Sequence, residues 1–308
     1  ISCSLVGSEM CIRDRSFSLC GRQAARRRRG IYFRRERHRI GQKTERGARF
    51  MSKIKILLLR RWYMVGGAAL VLAAAIFYVV NYPASVSAAA TTRQLPIYSV
   101  ERSQKVCAIS FDAAWGNEDT QTLIDILARY GVKTTFFVVG DWAEKYPESV
   151  KALHDAGHEV MSHSNHHDHY NSLSTQQIID DVTASNERIS AVTGVPPTLI
   201  RCPYGEYDDH VIAAIRSMGM EPIQWDVDSL DWKDYDADTI CRRVTSKVQP
   251  GSIVLFHNAA LHTPEALPAI LDCLINDGYT VVPISQLILD PPYTIDHTGR
   301  QFPAETAQ

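Results

Sequence analysis

Residues 105–139 read KVCAISFDAAWGNEDTQTLIDILARYGVKTTFFVV, and this stretch decides the fold. An apolar run, 105–111, is followed by a segment with helical periodicity that runs from Asp119 to Gly131. A second apolar run, 133–139, comes next. Two buried strands joined by a helix form a parallel βαβ unit. The same alternation continues downstream. Further strands are predicted at 158–163, 197–202, 221–227, 252–257 and 280–284. Helices are predicted from Pro147 to Gly157, from the capping box Ser174–Gln177 to Gly194 with Ile178, Val182, Ile189 and Val192 as its apolar stripe, and over 208–218, 238–248 and 264–277. Seven strands in alternation over 105–289 predict one parallel α/β domain, either a barrel or an open sheet. Such folds place their chemistry at the C-terminal ends of strands.

Outside this domain the charge is uneven. Residues 1–61 carry 18 Lys and Arg against 4 Asp and Glu, a surplus of 14, while the rest carries 15 against 30. The acidic domain repels phosphate backbones, which excludes nucleic acid as its partner. Residues 1–50 lack hydrophobic periodicity and are expected to be a non-native or disordered basic extension, with Met51 as the working start. A basic flank at 51–61 (Lys53, Lys55, Arg60, Arg61) precedes nineteen uncharged residues, Trp62–Val80. That length crosses a bilayer as a helix, and the flank orients everything after Asn81 to the outside. The expectation is a single-pass anchor, or a secreted domain if the small residues at 85–90 are cleaved. Residues 81–104 read as a linker and 290–308 as a loose C-terminal tail. Of the domain's cysteines, Cys107, Cys202, Cys241 and Cys273, none has CxxC spacing, and Cys107 and Cys273 sit in apolar contexts typical of buried thiols.

Polar residues recur after strand after strand: Asp112 in SFDAA, His163 and His167 in HSNHH, Arg201 in RCPYG, Asp231 in DSLDW and His257 in LFH. In this order the five patches resemble the motifs TFDDG, H(S/T)xxH, RxPYG, DxxDW and LxH of the polysaccharide deacetylases, the NodB homology domain of carbohydrate esterase family four. The resemblance covers about 104–288. It implies a distorted or incomplete (β/α) barrel and a hydrolase acting on non-peptide carbon–nitrogen bonds. Such an enzyme would remove acetyl groups from amino-sugar polymers such as peptidoglycan or chitin-like glycans at the cell surface. The chain resembles the exported Gram-positive members, including a sporulation-associated group. The resemblance also implies a divalent metal, zinc with cobalt or manganese as alternatives.

Deacetylation needs an activated water, a stabilised oxyanion and a proton for the leaving amine, and a metal serves the first two. His163 and His167 offer two imidazoles on one side if their segment turns helically, although His166 and His169 offer other pairs. The resemblance selects 163 and 167. It makes Asp112 the general base, where the residue alone reads equally as a turn cap. It pairs Arg201 with Asp112, the alternative being a fork on loop carbonyls. The Tyr204 backbone N–H becomes an oxyanion donor, and His257, oriented by Asp231, the general acid. Leu255 and Trp232 would hold the acetyl methyl, or else belong to the core.

One position departs. Ala113 stands where the family pattern has the Asp that completes the metal triad. Asn117, Glu118 and Asp119 lie on a loop able to fold back as substitutes. Otherwise the site holds metal by two His and water, or the cleft only binds glycan. A metalloprotease is poorly supported because HExxH is absent.

Overall fold

The structure, a computed structural model, describes residues 51, 55, 57–78 and 93–304, so the calls on 1–50 and on 81–92 lie outside the described residues. The chain divides into two compact units, Ile1–Thr91 and Thr92–Gln308. In the first, helix α1, Leu57–Tyr78, has 22 residues. At 1.5 Å per residue it reaches about 33 Å, enough for the ~30 Å hydrocarbon core of a bilayer. It begins five residues before the predicted span and so includes Arg60 and Arg61.

The second unit begins with β1 (Ser99–Val100) and β2 (Val106–Ala113), followed by α2 (Thr120–Arg129) and β3 (Thr135–Val138). Next come α3 (Gly140–Lys145), α4 (Pro147–Asp155), β4 (Glu159–Ser162), α5 (Thr175–Thr193) and β5 (Leu199–Ile200). Then follow α6 (Asp209–Ser217), β6 (Glu221–Pro222), β7 (Val227–Asp228), α7 (Ala237–Thr245) and β8 (Ile253–His257). The chain ends with α8 (Thr263–Asn276), β9 (Thr280–Val281), α9 (Ile284–Leu287), β10 (Tyr293–Ile295) and β11 (Arg300–Pro303). The main sheet is parallel, in the order β6-β5-β4-β3-β2-β8-β7, with β9 on the lower end of β2. It curls into a half-barrel left open between β6 and β7; alternation left barrel and open sheet undecided, and the incomplete barrel is the one the resemblance implied. Beside this opening Ile97 bridges to Ile223 and Ser99 to Ser252.

Local chemistry accounts for the helix ends. Ser174 and Gln177 form the reciprocal capping box, and Gly194 ends α5 in the left-handed conformation. Asp119 precedes α2 as expected but makes no capping bond; its Oδ2 accepts from the Ala259 N–H instead. The residues expected to form a loose tail are ordered. β10 pairs antiparallel with β11, which pairs parallel with β1, so both ends of the unit share one small sheet. Aperiodic sequence concealed this because a three-residue strand has too few positions for alternation to show. Over the described part of the segment read as a linker, 93–104, the reading is corrected in the same way, since Ile97 and Val100 are fully buried. Cys107 and Cys202 are buried, whereas Cys273 is half-buried, and all four cysteines are free.

Candidate active site

Strand alternation places the chemistry. On β2, Cys107, Ile109, Phe111 and Ala113 join the apolar cluster shared with α2, α4 and α8, while Ala108 joins the cluster on the other face. Ser110 and Asp112 therefore project with Ala108 to the inner side. On β8, Val254 and Phe256 take the helix side, leaving Ile253, Leu255 and His257 inward. The two strands are in parallel register with Ala108 beside Ile253, Ser110 beside Leu255 and Asp112 beside His257. The inner face thus runs from apolar at its base to charged at its mouth.

Asp112 is buried, and its Oδ1 accepts from Arg201 Nη1 at 2.7 Å. Arg201 is wholly buried, with its guanidinium 4.3 Å from the Phe137 ring centre and 5.4 Å from that of Trp225. Its Nη2 donates to the Gln224 carbonyl at 3.2 Å. Burial alone would raise the Asp112 carboxyl, but the charge and hydrogen bond of Arg201, with a contribution from His257, outweigh it and hold it below the usual carboxylate range. His257 Nδ1 lies 2.8 Å from Asp231 Oδ1, and Asp231 Oδ2 accepts from the His257 N–H and the Thr263 hydroxyl. Burial would lower the imidazole, yet the bond and charge of Asp231 prevail and raise it. A carboxyl held toward its ionised form beside an imidazole held toward its protonated form is a base and an acid poised for opposite proton transfers.

His163 Nδ1 contacts the Arg201 carbonyl at 2.8 Å. A carbonyl only accepts, so Nδ1 carries the proton and Nε2 presents its lone pair, 3.6 Å from Asp112 Oδ2. Burial lowers His163, and lowers His167 to about 4. Both rings are thus neutral, as ligation requires. The expected helical turn between them is absent. Ser164 and His167 both take positive φ, 72° and 62°, and the His167 N–H donates to Ser164 Oγ at 2.9 Å. This brings the two rings to 4.9 Å between centres. His166 turns away to Asp141 and His169 to Glu206, so neither enters the cleft.

The six non-glycine residues with positive φ among the described residues are Ser164, His167, Tyr204, Leu230, Asp234 and Ala259, all in loops after β4, β5, β7 and β8. Each such conformation costs on the order of 1–3 kcal/mol and persists only where surrounding contacts enforce it. The strain gathers at the mouth of the half-barrel.

The cavity between these groups has a volume of about 450 Å³ and is lined by Asp112, His163, His167, Tyr204, Leu255, His257 and Trp232, together with Trp115, Gly205, Trp225 and Asp228. Trp232 is exposed on this cavity, so its core alternative falls; Leu255 is both buried and cavity-lining. Sequence reasoning missed Trp115, Trp225 and Asp228. Asp228 was within reach as the first Asp of the DxxDW match, but the two tryptophans had no marking signal. A cavity of about 660 Å³ near Arg93, Arg216 and Tyr293 holds none of these groups, so chemistry selects the smaller one.

The donor set supplies two imidazoles and stops there. Among the described residues no group of three His, Cys, Asp or Glu is placed to hold a metal. Ala113 packs in the helix-side cluster. The proposed substitutes are engaged elsewhere: Asn117 Nδ2 donates to Ser149 Oγ, Glu118 Oε2 accepts from the Asn117 N–H, and Asp119 holds Ala259. The residues present therefore do not complete a three-ligand centre. His163→Ala and His167→Ala are each expected to weaken zinc binding by at least about tenfold, since each removes half of the remaining donors. His166→Ala and His169→Ala should leave it unchanged, as isothermal titration will show.

The sequence profile of the family described as "Polysaccharide deacetylase" matches residues 99–223. A curated relative, the peptidoglycan-N-acetylmuramic acid deacetylase PdaC of Bacillus subtilis, is 33% identical over 189 residues, covering 61% of this chain and 40% of that protein. The chain thus spans about two fifths of that relative's length. The solved structure of PdaC is 34% identical, with 61% of this chain and 92% of that one aligned and a TM-score of 0.56. A second similar structure is BA3943 of Bacillus anthracis, described as a CE4 family pseudoenzyme, at 34% identity, 62% and 68% coverage and a TM-score of 0.61. A mutant of it, described as having restored enzymatic activity, matches at 35% identity, 62% and 70% coverage and a TM-score of 0.60.

Proposed function

From a chain that belongs to the polysaccharide deacetylase family, we propose a surface-anchored hydrolase that removes acetyl groups from an amino-sugar glycan of the peptidoglycan or chitin class. The observation that carries this reading is the register pair Asp112 and His257, each charged by its own buried partner, Arg201 and Asp231. In this reading α1 is the single membrane span. Asp112 takes a proton from the attacking water as its oxygen adds to the acetamide carbonyl carbon. The Tyr204 backbone N–H faces the oxyanion that forms. His257 then gives its proton to the nitrogen as the C–N bond breaks, leaving acetate and a free amine. Leu255 and Trp232 hold the methyl group.

A second reading has its own observation. With Ala113 in place of the third donor, the cleft binds glycan without turnover, and BA3943 is a family neighbour described as a pseudoenzyme. Acetate release from N-acetylated chitotetraose by the full-length chain in detergent, supplied in turn with zinc, cobalt and manganese, separates the two. Release with any ion supports the hydrolase. Saturable binding with no acetate under all three assigns the second reading, and neither binding nor release overturns both.

Ala113→Asp probes the departure directly. Placed in an apolar cluster, the new carboxylate should lower thermal stability without metal. Zinc should then restore it by mass action, with affinity at least about tenfold above the unaltered chain. Unchanged affinity would mean that a side chain at 113 cannot reach the imidazoles.

A further inference from the structure

We propose that Trp115 is a stacking platform for a sugar ring of the glycan and that Asn258 is the residue that positions it; this rests on the reading of the cleft as a glycan site. Trp115 is 59% exposed, and with Tyr204 and Trp232 it contributes an open aromatic face to the cavity. An exposed indole forgoes burial worth several times that of a methyl group, so on a pliable loop it would fold inward.

This loop is not pliable. The buried Asn258 spans it: Oδ1 accepts from the Ala114 N–H at 3.2 Å, and Nδ2 donates to the carbonyls of Trp115 at 2.5 Å and Gly116 at 2.8 Å. The Asn258 N–H donates to the Asp112 carbonyl at 3.0 Å, tying the clamp to the end of β2. Trp142 Nε1 adds a second bond to Gly116, at 2.6 Å. Gly116 takes φ +45°, and a Cβ there would lie 2.3 Å from Glu118 Oε2, so the turn accepts no larger residue without displacing that carboxylate. The indole itself stands edge-on to His167, at 62° and 5.4 Å between ring centres.

The clamp therefore holds an apolar plane beside the imidazole pair with one face open to the cavity. A pyranose ring of an acetylated amino sugar has an apolar C–H face that packs on such a plane, while its hydroxyls stay in water. Because the backbone is already fixed, binding orders little that is not ordered beforehand. The loop that follows Ala113, where the third donor is missing, thus presents a sugar-binding wall instead.

The test titrates the full-length protein in detergent with N-acetylated chitotetraose. Trp115→Ala is expected to raise Kd on the order of tenfold with the melting temperature retained. Trp115→Phe, which keeps an aromatic plane, should stay within about threefold of the unaltered protein while reducing the tryptophan emission change on sugar binding to what Trp225 and Trp232 contribute. Asn258→Ala, if it folds, should weaken binding as Trp115→Ala does. Affinity in Trp115→Ala within twofold of the unaltered chain overturns this proposal alone. Absence of binding by the unaltered chain overturns it together with the functional reading.

Discussion

Acetate release by Asp112→Asn is expected to fall by about 10²–10⁴-fold, the range that a positioned general base contributes. Asn keeps the shape of Asp and an oxygen to accept from Arg201 Nη1, but it cannot take a proton at neutral pH. Circular dichroism and melting separate the chemical loss from a structural one, since the buried guanidinium is left without a counter-charge. The partner group gives the pH test. Asp231 raises His257 above its ordinary 6.5, and the charged groups facing the ring are Asp231, Asp112 and Asp228. The acid form therefore persists past 6.5, and activity should decline as pH rises through the raised value. Stability has the same sign: the contribution of this pair is complete below 6.5 and is lost on the alkaline side. His257→Gln should lower the rate within the same range and abolish the alkaline decline. An Asp112→Asn enzyme with unaltered turnover would remove Asp112 from the base role.

Arg201→Met is expected to cost about 3–5 kcal/mol of folding stability, because it leaves the Asp112 carboxylate buried without its partner. For a domain of this size, about 2–4 °C per kcal/mol makes the loss plain in a thermal melt. The double variant Arg201→Met with Asp112→Leu should recover most of it, since replacing a buried ion pair with apolar residues is often close to neutral in energy. Recovery would show that the pair is kept for chemistry and not for stability. A single-variant loss under about 1 kcal/mol would mean that water reaches Asp112 and that the pair behaves as a surface one.

Several elements were legible because they depend on neighbours close in the chain. The Ser174–Gln177 box and Gly194 bracket α5 as their chemistry dictates. The apolar runs at 105–111, 133–139 and 252–257 became strands because each carries too much apolar surface to stay in water. Motif order, carried by the resemblance, picked His163 and His167 out of four histidines, and the cavity lining contains those two. The failures concern contacts distant in sequence. The 163–167 segment is bent by left-handed residues rather than a helical turn, and Asp119 abandons its own helix for Ala259.

By itself the sequence determined a parallel α/β domain, the strand ends on which its charged residues sit, and an apolar N-terminal helix long enough for a bilayer. Period-two alternation assigns a residue to a face of its strand, and caps assign an end to a helix; both are local in origin. Only the tertiary structure decided which strands lie side by side, and so that Asp112 stands opposite His257 and that Asn258 grips a loop 142 to 143 residues away. It also decided that, among the described residues, no carboxylate joins the two imidazoles in place of the one missing at Ala113. Register and loop closure are settled by packing across the whole fold, and no short stretch of sequence contains that information.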